Sequence, residues 1–129
     1  MTEWRIRMAE FNTEIVDKGN ISVIKISGYL DAHTAPILES NFTELIDSSK
    51  FKIIVNFKDL AYISSAGLGV FMAYIEKIRN NSGDIKLTNM NDKVYNIFDL
   101  LGFPLLYEIF EKEDEALNKF KESDEVGSK

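Results

Sequence analysis

Apolar and polar positions change their period several times along the chain, and each change marks an element. The runs FNTEIV (residues 11–16) and ISVIKISG (21–28) are strand-like and flank the polar, glycine-containing DKGN, which suits a hairpin turn. Upstream, Trp4, Ile6 and Met8 alternate with polar residues, as an extra strand or an extension of the first one would. After Gly28 the period becomes helical. Leu38, Phe42, Leu45 and Ile46 fall on one face, with Thr34 placed as an N-cap and Pro36 in the first turn. FKIIVNF (51–57) is a nearly continuous apolar run of strand length, the pattern of a central strand covered on both faces.

Helical spacing returns at Leu68, Phe71, Met72, Ile75 and Ile78, a core-facing stripe that predicts a helix from about Ala66 to Arg79. NNSGD breaks it, and IKLTN is a short strand. NDKVYNIFDLLG then places Val94, Ile97, Phe98 and Leu101 on one face, between a capping Asn91 and a terminating Gly102. LYEIF reads as a last short strand, and EDEALNKFK as a final helix with acidic residues in its first turn, where the helix dipole favours them. The order β-β-α-β-α-β-α-β-α predicts a small α/β domain with a mixed, mostly parallel sheet of four to five strands and about four helices. The opening hairpin supplies an antiparallel edge, and Ile54, Phe71 and Ile75 should be buried.

Composition narrows the chemistry. The chain has 129 residues, enough for one domain with its own core, and a formal charge of −6 with no Lys/Arg run, which disfavours direct nucleic-acid binding. It has no cysteine and only one histidine, His33, which removes disulfides, thiolate catalysis and Cys- or His-based metal centres. The amino terminus lacks the apolar core of a signal peptide, and no run of apolar residues has the length of a membrane span. The expectation is a cytoplasmic protein with no membrane attachment and no cofactor. KESDEVGSK at the carboxyl end reads as a loose tail.

The stretch YISSAGLGVF (62–71) carries the candidate chemistry, two adjacent serines between a strand and a helix. One reading makes them caps, whose hydroxyl accepts an otherwise orphan N–H of the first helical turn. A second makes one of them a nucleophile. Ile63 stands where the first glycine of a nucleophile elbow belongs, and the sole base, His33, has only Asp31 nearby in sequence to orient it. GLG also lacks the remainder of a phosphate-binding loop. A third makes the serines a phosphorylation switch. Gly67 and Gly69 fit either tight helix-on-sheet packing or close approach of a partner, and Leu68, near the helix start, is the candidate for an exposed apolar contact.

YISSAGLGVF, with ISGYLDAHTA (26–35) before it and NDKVYNIFDLLGF (91–103) after it, resembles the STAS domain family, and within it the anti-sigma factor antagonists. The resemblance runs from about Phe11 to Leu117. It sets out an amino-terminal extension (1–10), a STAS domain (11–121) and a flexible tail (122–129). In that family the site commonly reads D-S-x-G-L-G. The resemblance implies that Ser65 is the phosphorylated serine, that Gly67, Leu68 and Gly69 complete the motif, and that Asp31 lies close to it. Ser64 replaces the family's usual aspartate, which leaves a second hydroxyl in place of a charge.

The implied function is partner switching. The unmodified protein binds an anti-sigma factor serine kinase and so frees a sigma factor, phosphorylation at Ser65 ends the binding, and a serine phosphatase restores it. The partner-binding residues are then Asp31, Ser64, Ser65, Gly67 and Leu68, with no catalytic residue and no metal ligand, because ATP and Mg²⁺ belong to the kinase. A monomer or weak dimer fits equally. Physical chemistry agrees with the placement, since a helix entrance holds a phosphate on unpaired N–H groups. The alternative is an unphosphorylated STAS-type scaffold or small-ligand-binding module. Asp31 has a second reading as a cap of the helix that follows it, and His33 reads as a surface loop residue.

Overall fold

A computed structural model describes residues 11–127, with side-chain surroundings as far as Ser123. Trp4, Ile6 and Met8 lie outside the described residues. The elements are β1 (Phe11–Lys18), β2 (Ile21–Leu30), α1 (Ala35–Asp47), β3 (Lys52–Ile63), α2 (Ser65–Asn80), β4 (Asp84–Thr88), α3 (Asp92–Leu100), a 3₁₀ turn (Phe103–Leu105), β5 (Ile109–Phe110) and α4 (Glu113–Gly127). This is the order expected from the sequence. Gly19 makes the tight β1–β2 turn possible. Its φ of +66° at the first of two loop residues suits a primed hairpin turn.

The strands of the five-stranded sheet lie side by side in chain order. β1 and β2 are antiparallel, and every later neighbour is parallel. Three parallel crossovers that all advance in one direction, each right-handed, must put their helices on the same face of the sheet. Side-chain packing agrees: Leu38 and Phe42 of α1, Phe71 and Ile78 of α2, and Val94 and Phe98 of α3 join Ile24, Ile53, Val55 and Phe57 in one apolar cluster. On the other face Ala116, Leu117 and Phe120 of α4 cover Ile21, Val23 and Ile54. β3 is therefore central and covered on both faces, as its apolar run predicts. Ile54 and Phe71 are fully buried and Ile75 nearly so.

One local expectation fails, and a second is met only in part. Leu101 is exposed, because α3 ends at Leu100 and the chain turns away at Gly102 with a φ of +77°. The segment LYEIF forms only a two-residue strand, since Tyr107 is drawn inward, where its hydroxyl donates to the Phe71 carbonyl at 2.6 Å. Burial pushes the Tyr107 hydroxyl above its ordinary pKa, so it stays a neutral donor. The backbone helix of α4 continues to Gly127.

α4 is fastened to the hairpin by charge. Glu113 takes Lys18 on one carboxylate oxygen at 2.6 Å and the Asn56 amide on the other at 2.9 Å. Burial alone would raise the Glu113 pKa, but these two hydrogen bonds outweigh it and hold the group below the ordinary carboxylate value. A carboxylate with a depressed folded-state pKa stabilises the protein above its unfolded pKa of about 4.3, and that contribution is lost as pH falls through the folded value. Glu113→Gln should therefore lower the melting temperature at pH 7, and melts repeated at pH 3 should bring mutant and wild type together.

Candidate functional site at the carboxyl edge of the sheet

The site is built by the pairing of β2 with β3. Lys25 pairs with Asn56 and Ser27 with Asp59, then Gly28 pairs with Leu60 and Tyr29 with Tyr62. β3 thus takes up an extra residue twice, as two bulges. They explain why the sequence pattern predicts this strand only to Phe57 whereas it runs to Ile63. Beyond Phe57 the buried residues are Leu60 and Ile63, a spacing of three that an alternating pattern cannot show. At the end of the ladder Leu30 pairs with Ile63, and the Ser64 N–H donates to the Leu30 carbonyl at 2.9 Å. Asp31 and Ser64 are the next residues on strands about 4.8 Å apart. Asp31, Ser64 and Ser65 are therefore brought together from positions more than thirty residues apart.

The two serines have different work. Ser64 is the N-cap of α2, in extended backbone, and its Oγ accepts the Gly67 N–H at 3.3 Å while its carbonyl accepts the Leu68 N–H at 3.0 Å. Ser65 is the first helical residue, one earlier than the predicted start, and is exposed to solvent. Capping thus occupies the half-buried Ser64 and leaves Ser65 as the outward hydroxyl. The other first-turn amides have no intrahelical partner of their own.

Asp31 shapes the neighbouring loop. Its Oδ1 accepts the N–H groups of His33 at 3.0 Å and Thr34 at 3.1 Å, and its carbonyl accepts the Ala35 N–H at 2.8 Å. Thr34 occupies the N-cap position of α1, yet its side chain caps nothing. Its backbone is already near-helical and its hydroxyl donates back to the Tyr29 carbonyl at 2.8 Å. The capping expected of Thr34 is supplied by Asp31 instead. His33 is exposed, as expected of a loop residue.

Four residues of the motif helix part company with expectation or with one another. Leu68 is 5% exposed and belongs to the core, so the exposed apolar contact expected of it is not there. Met72, expected in the core, is 48% exposed. The apolar stripe is narrower than the spacing suggests, because Gly67 lets α2 sink onto the sheet edge and swings Leu68 inward. At Gly67 an added Cβ would lie 2.8 Å from Leu30 Cγ and 3.0 Å from the Leu30 carbonyl oxygen, whereas at Gly69 it would meet nothing within 4 Å. Close packing therefore accounts for Gly67 and not for Gly69.

Sequence reasoning passed over one further feature of this edge. Tyr29 and Tyr62, two residues before Asp31 and Ser64, are both about half exposed, with ring centroids 6.1 Å apart. The available signal was the alternation of Tyr29 with the inward Leu30. Among the described residues no cluster of three or more His, Cys, Asp or Glu could hold a metal ion, and no helix is long and apolar enough to cross a membrane.

The family model for the STAS domain matches residues 12–116. The anti-sigma-B factor antagonist of Bacillus subtilis (strain 168) is 26% identical over 103 residues, which cover 80% of this chain and 94% of that protein. Among solved structures, an anti-sigma factor antagonist from Mycobacterium paratuberculosis superposes with a TM-score of 0.79 at 22% identity, covering 86% of this chain and 94% of that one. The Bacillus cell fate determinant SpoIIAA in its phosphorylated form superposes with a TM-score of 0.65 at 23% identity, covering 85% and 98%.

Stability separates the roles assigned to the cap and to the packed glycine. Ser64→Ala should lower unfolding free energy in urea by about 1 kcal/mol, whereas Ser64→Asp, an equally good cap at a helix amino terminus, should be neutral or slightly stabilising. Gly67→Ala should destabilise by about 1–3 kcal/mol, because the Leu30 backbone cannot give way.

Proposed function

The chain belongs to the STAS domain family, and from that premise we propose that it is an anti-sigma factor antagonist working by partner switching in the cytoplasm. In its unmodified form it binds an anti-sigma factor serine kinase, which releases its sigma factor. Phosphorylation of Ser65 by that kinase ends the binding, and a serine phosphatase restores it. The antagonist performs no chemistry of its own, since the kinase brings ATP and Mg²⁺.

The observation that carries this reading is the division of labour between the two serines: Ser64 Oγ is held as a cap, while Ser65 is exposed at the first position of α2. A phosphate there adds about −1.5 to −2 charges next to the positive end of a helix, so it would be held locally on first-turn amides. The same charge makes a complementary surface costly to close, because the strongly hydrated group would lose its water. Asp31, on the adjacent strand end, adds a carboxylate to the same edge and sharpens that repulsion. Asp31, Ser64 and Ser65 form the proposed contact surface. Gly67 and Leu68 serve it indirectly, by seating α2.

Ser65→Ala should abolish phosphorylation yet keep binding, and Ser65→Glu should weaken binding at least about tenfold, equivalent to about 1.4 kcal/mol. Isothermal titration against the anti-sigma factor kinases encoded in the source genome measures both, and equal affinity of wild type and Ser65→Glu would sink the charge switch. The serine in place of the family's aspartate generates a kinetic expectation. Restoring the carboxylate with Ser64→Asp should speed single-turnover phosphoryl transfer to Ser65, and an unchanged or slower rate would make Ser64 neutral or a recognition element in its own right.

A further inference from the structure

From Gly19 to Gly102 the fold accounts for every glycine but one. Gly19, Gly28 and Gly102 have φ of +66°, +90° and +77°, a region closed to most side chains. Gly67 and Gly83 are walled in, since a Cβ at 67 would press on Leu30 and Ile63 and one at 83 would strike the Phe51 carbonyl. Gly69 has neither reason. It is exposed, its φ is not positive, and a Cβ there would meet nothing within 4 Å. It nevertheless occupies the interior of α2, where glycine is the poorest residue after proline for holding a helix.

A second observation concerns charge. From Ser65 to Ile75 the helix carries no Asp, Glu, Lys or Arg, although such residues make up 28% of the chain. Within that stretch Ser65, Ala66, Gly69, Met72 and Ala73 are exposed. A solvent-facing helix surface over several turns that is small-sided, uncharged and includes a half-exposed methionine has the composition of an interface centre, from which charged residues are depleted and in which Met is enriched.

We infer that Gly69 and Met72 form the docking seat of the serine kinase proposed to act on Ser65, with kinase main chain crossing α2 over Gly69 and a kinase apolar surface receiving Met72. This rests on the reading of Ser65 given above. Gly69 stands four residues on from Ser65, one turn along the same face, so an active site closing on the Ser65 hydroxyl from solvent also covers Gly69. The missing Cβ is what lets two backbones approach there. Met72 takes the apolar contact that Leu68, turned into the core, does not offer. Binding would then have a steric determinant separate from the phosphate switch.

The test compares stability with affinity, because the two should move in opposite directions. Gly69→Ala should raise the melting temperature of the isolated protein by about 3–5 °C. It should weaken binding to the source genome's anti-sigma factor kinases, titrated without ATP, at least about tenfold. Gly69→Gln, at a position exposed to solvent, should weaken it further. A melting temperature that fails to rise would mean that the fold needs the glycine, and the inference falls. Wild-type affinity in Gly69→Ala, alongside lost affinity in Ser65→Glu, overturns the inference and leaves the Ser65 reading standing. Binding of no kinase by the wild type overturns both.

Discussion

The site depends on the last rung of the β2–β3 ladder, where Leu30 pairs with Ile63 and the Ser64 N–H closes onto the Leu30 carbonyl. Everything at the carboxyl edge is measured from that rung. It sets Asp31 beside Ser64, fixes where α2 begins, and presents the Leu30 and Ile63 side chains on which Gly67 rests. Two bulges in β3 make the rung possible. Without the extra residues Ile63 would not reach Leu30, and Ser64 would enter α2 from a different height and rotation. Bulges next to functional sites re-aim side chains at a small cost in ladder hydrogen bonds, and here they aim the end of a strand.

α2 is fixed near its middle by aromatic packing. Phe71 is fully buried, and its ring lies within about 6 Å of those of Phe42 on α1, Phe57 on β3 and Phe98 on α3. The Tyr107 hydroxyl holds the Phe71 carbonyl. A helix seated on the sheet edge by Gly67 and keyed into three elements by Phe71 has little freedom to rotate. Its outward face, with Ser65, Gly69 and Met72, is therefore presented in one orientation. The proposed modification of Ser65 need not move the helix to have an effect; it would change the charge of a surface already in place. The domain is thus a rigid platform whose proposed signal is electrostatic.

The opposite face of the sheet is held by different means. α4 packs Ala116, Leu117 and Phe120 on Ile21, Val23 and Ile54, and the Glu113 contacts to Lys18 and Asn56 tie its first turn to the hairpin and to β3. The buried Lys86 ammonium is paired with Asp84 and Glu108 and lies over the Phe120 ring at 4.6 Å, which allows a charge to sit under the helix. These contacts stand away from the serines, so the supports of α4 can vary without altering the carboxyl edge.

Much of this was legible in the amino-acid sequence, because it follows from local periodicity. The strand and helix order, the central apolar strand, the stripe through Phe71 and Ile75, and the caps at Asn91 and Gly102 all arise from residues a few positions apart. The motif around Ser65 and the nearness of Asp31 were legible through resemblance. Tertiary structure decided the rest. Whether Leu68 or Met72 faces the core depends on how deeply α2 sits, and that depends on Leu30, some forty residues earlier. The extent of β3 depends on bulges that exist only against its partner strand. Gly67 and Gly69 look alike in the sequence, since glycine leaves no pattern of its own. Only the neighbours brought in by the fold show that one is pressed against a backbone while the other stands open to solvent.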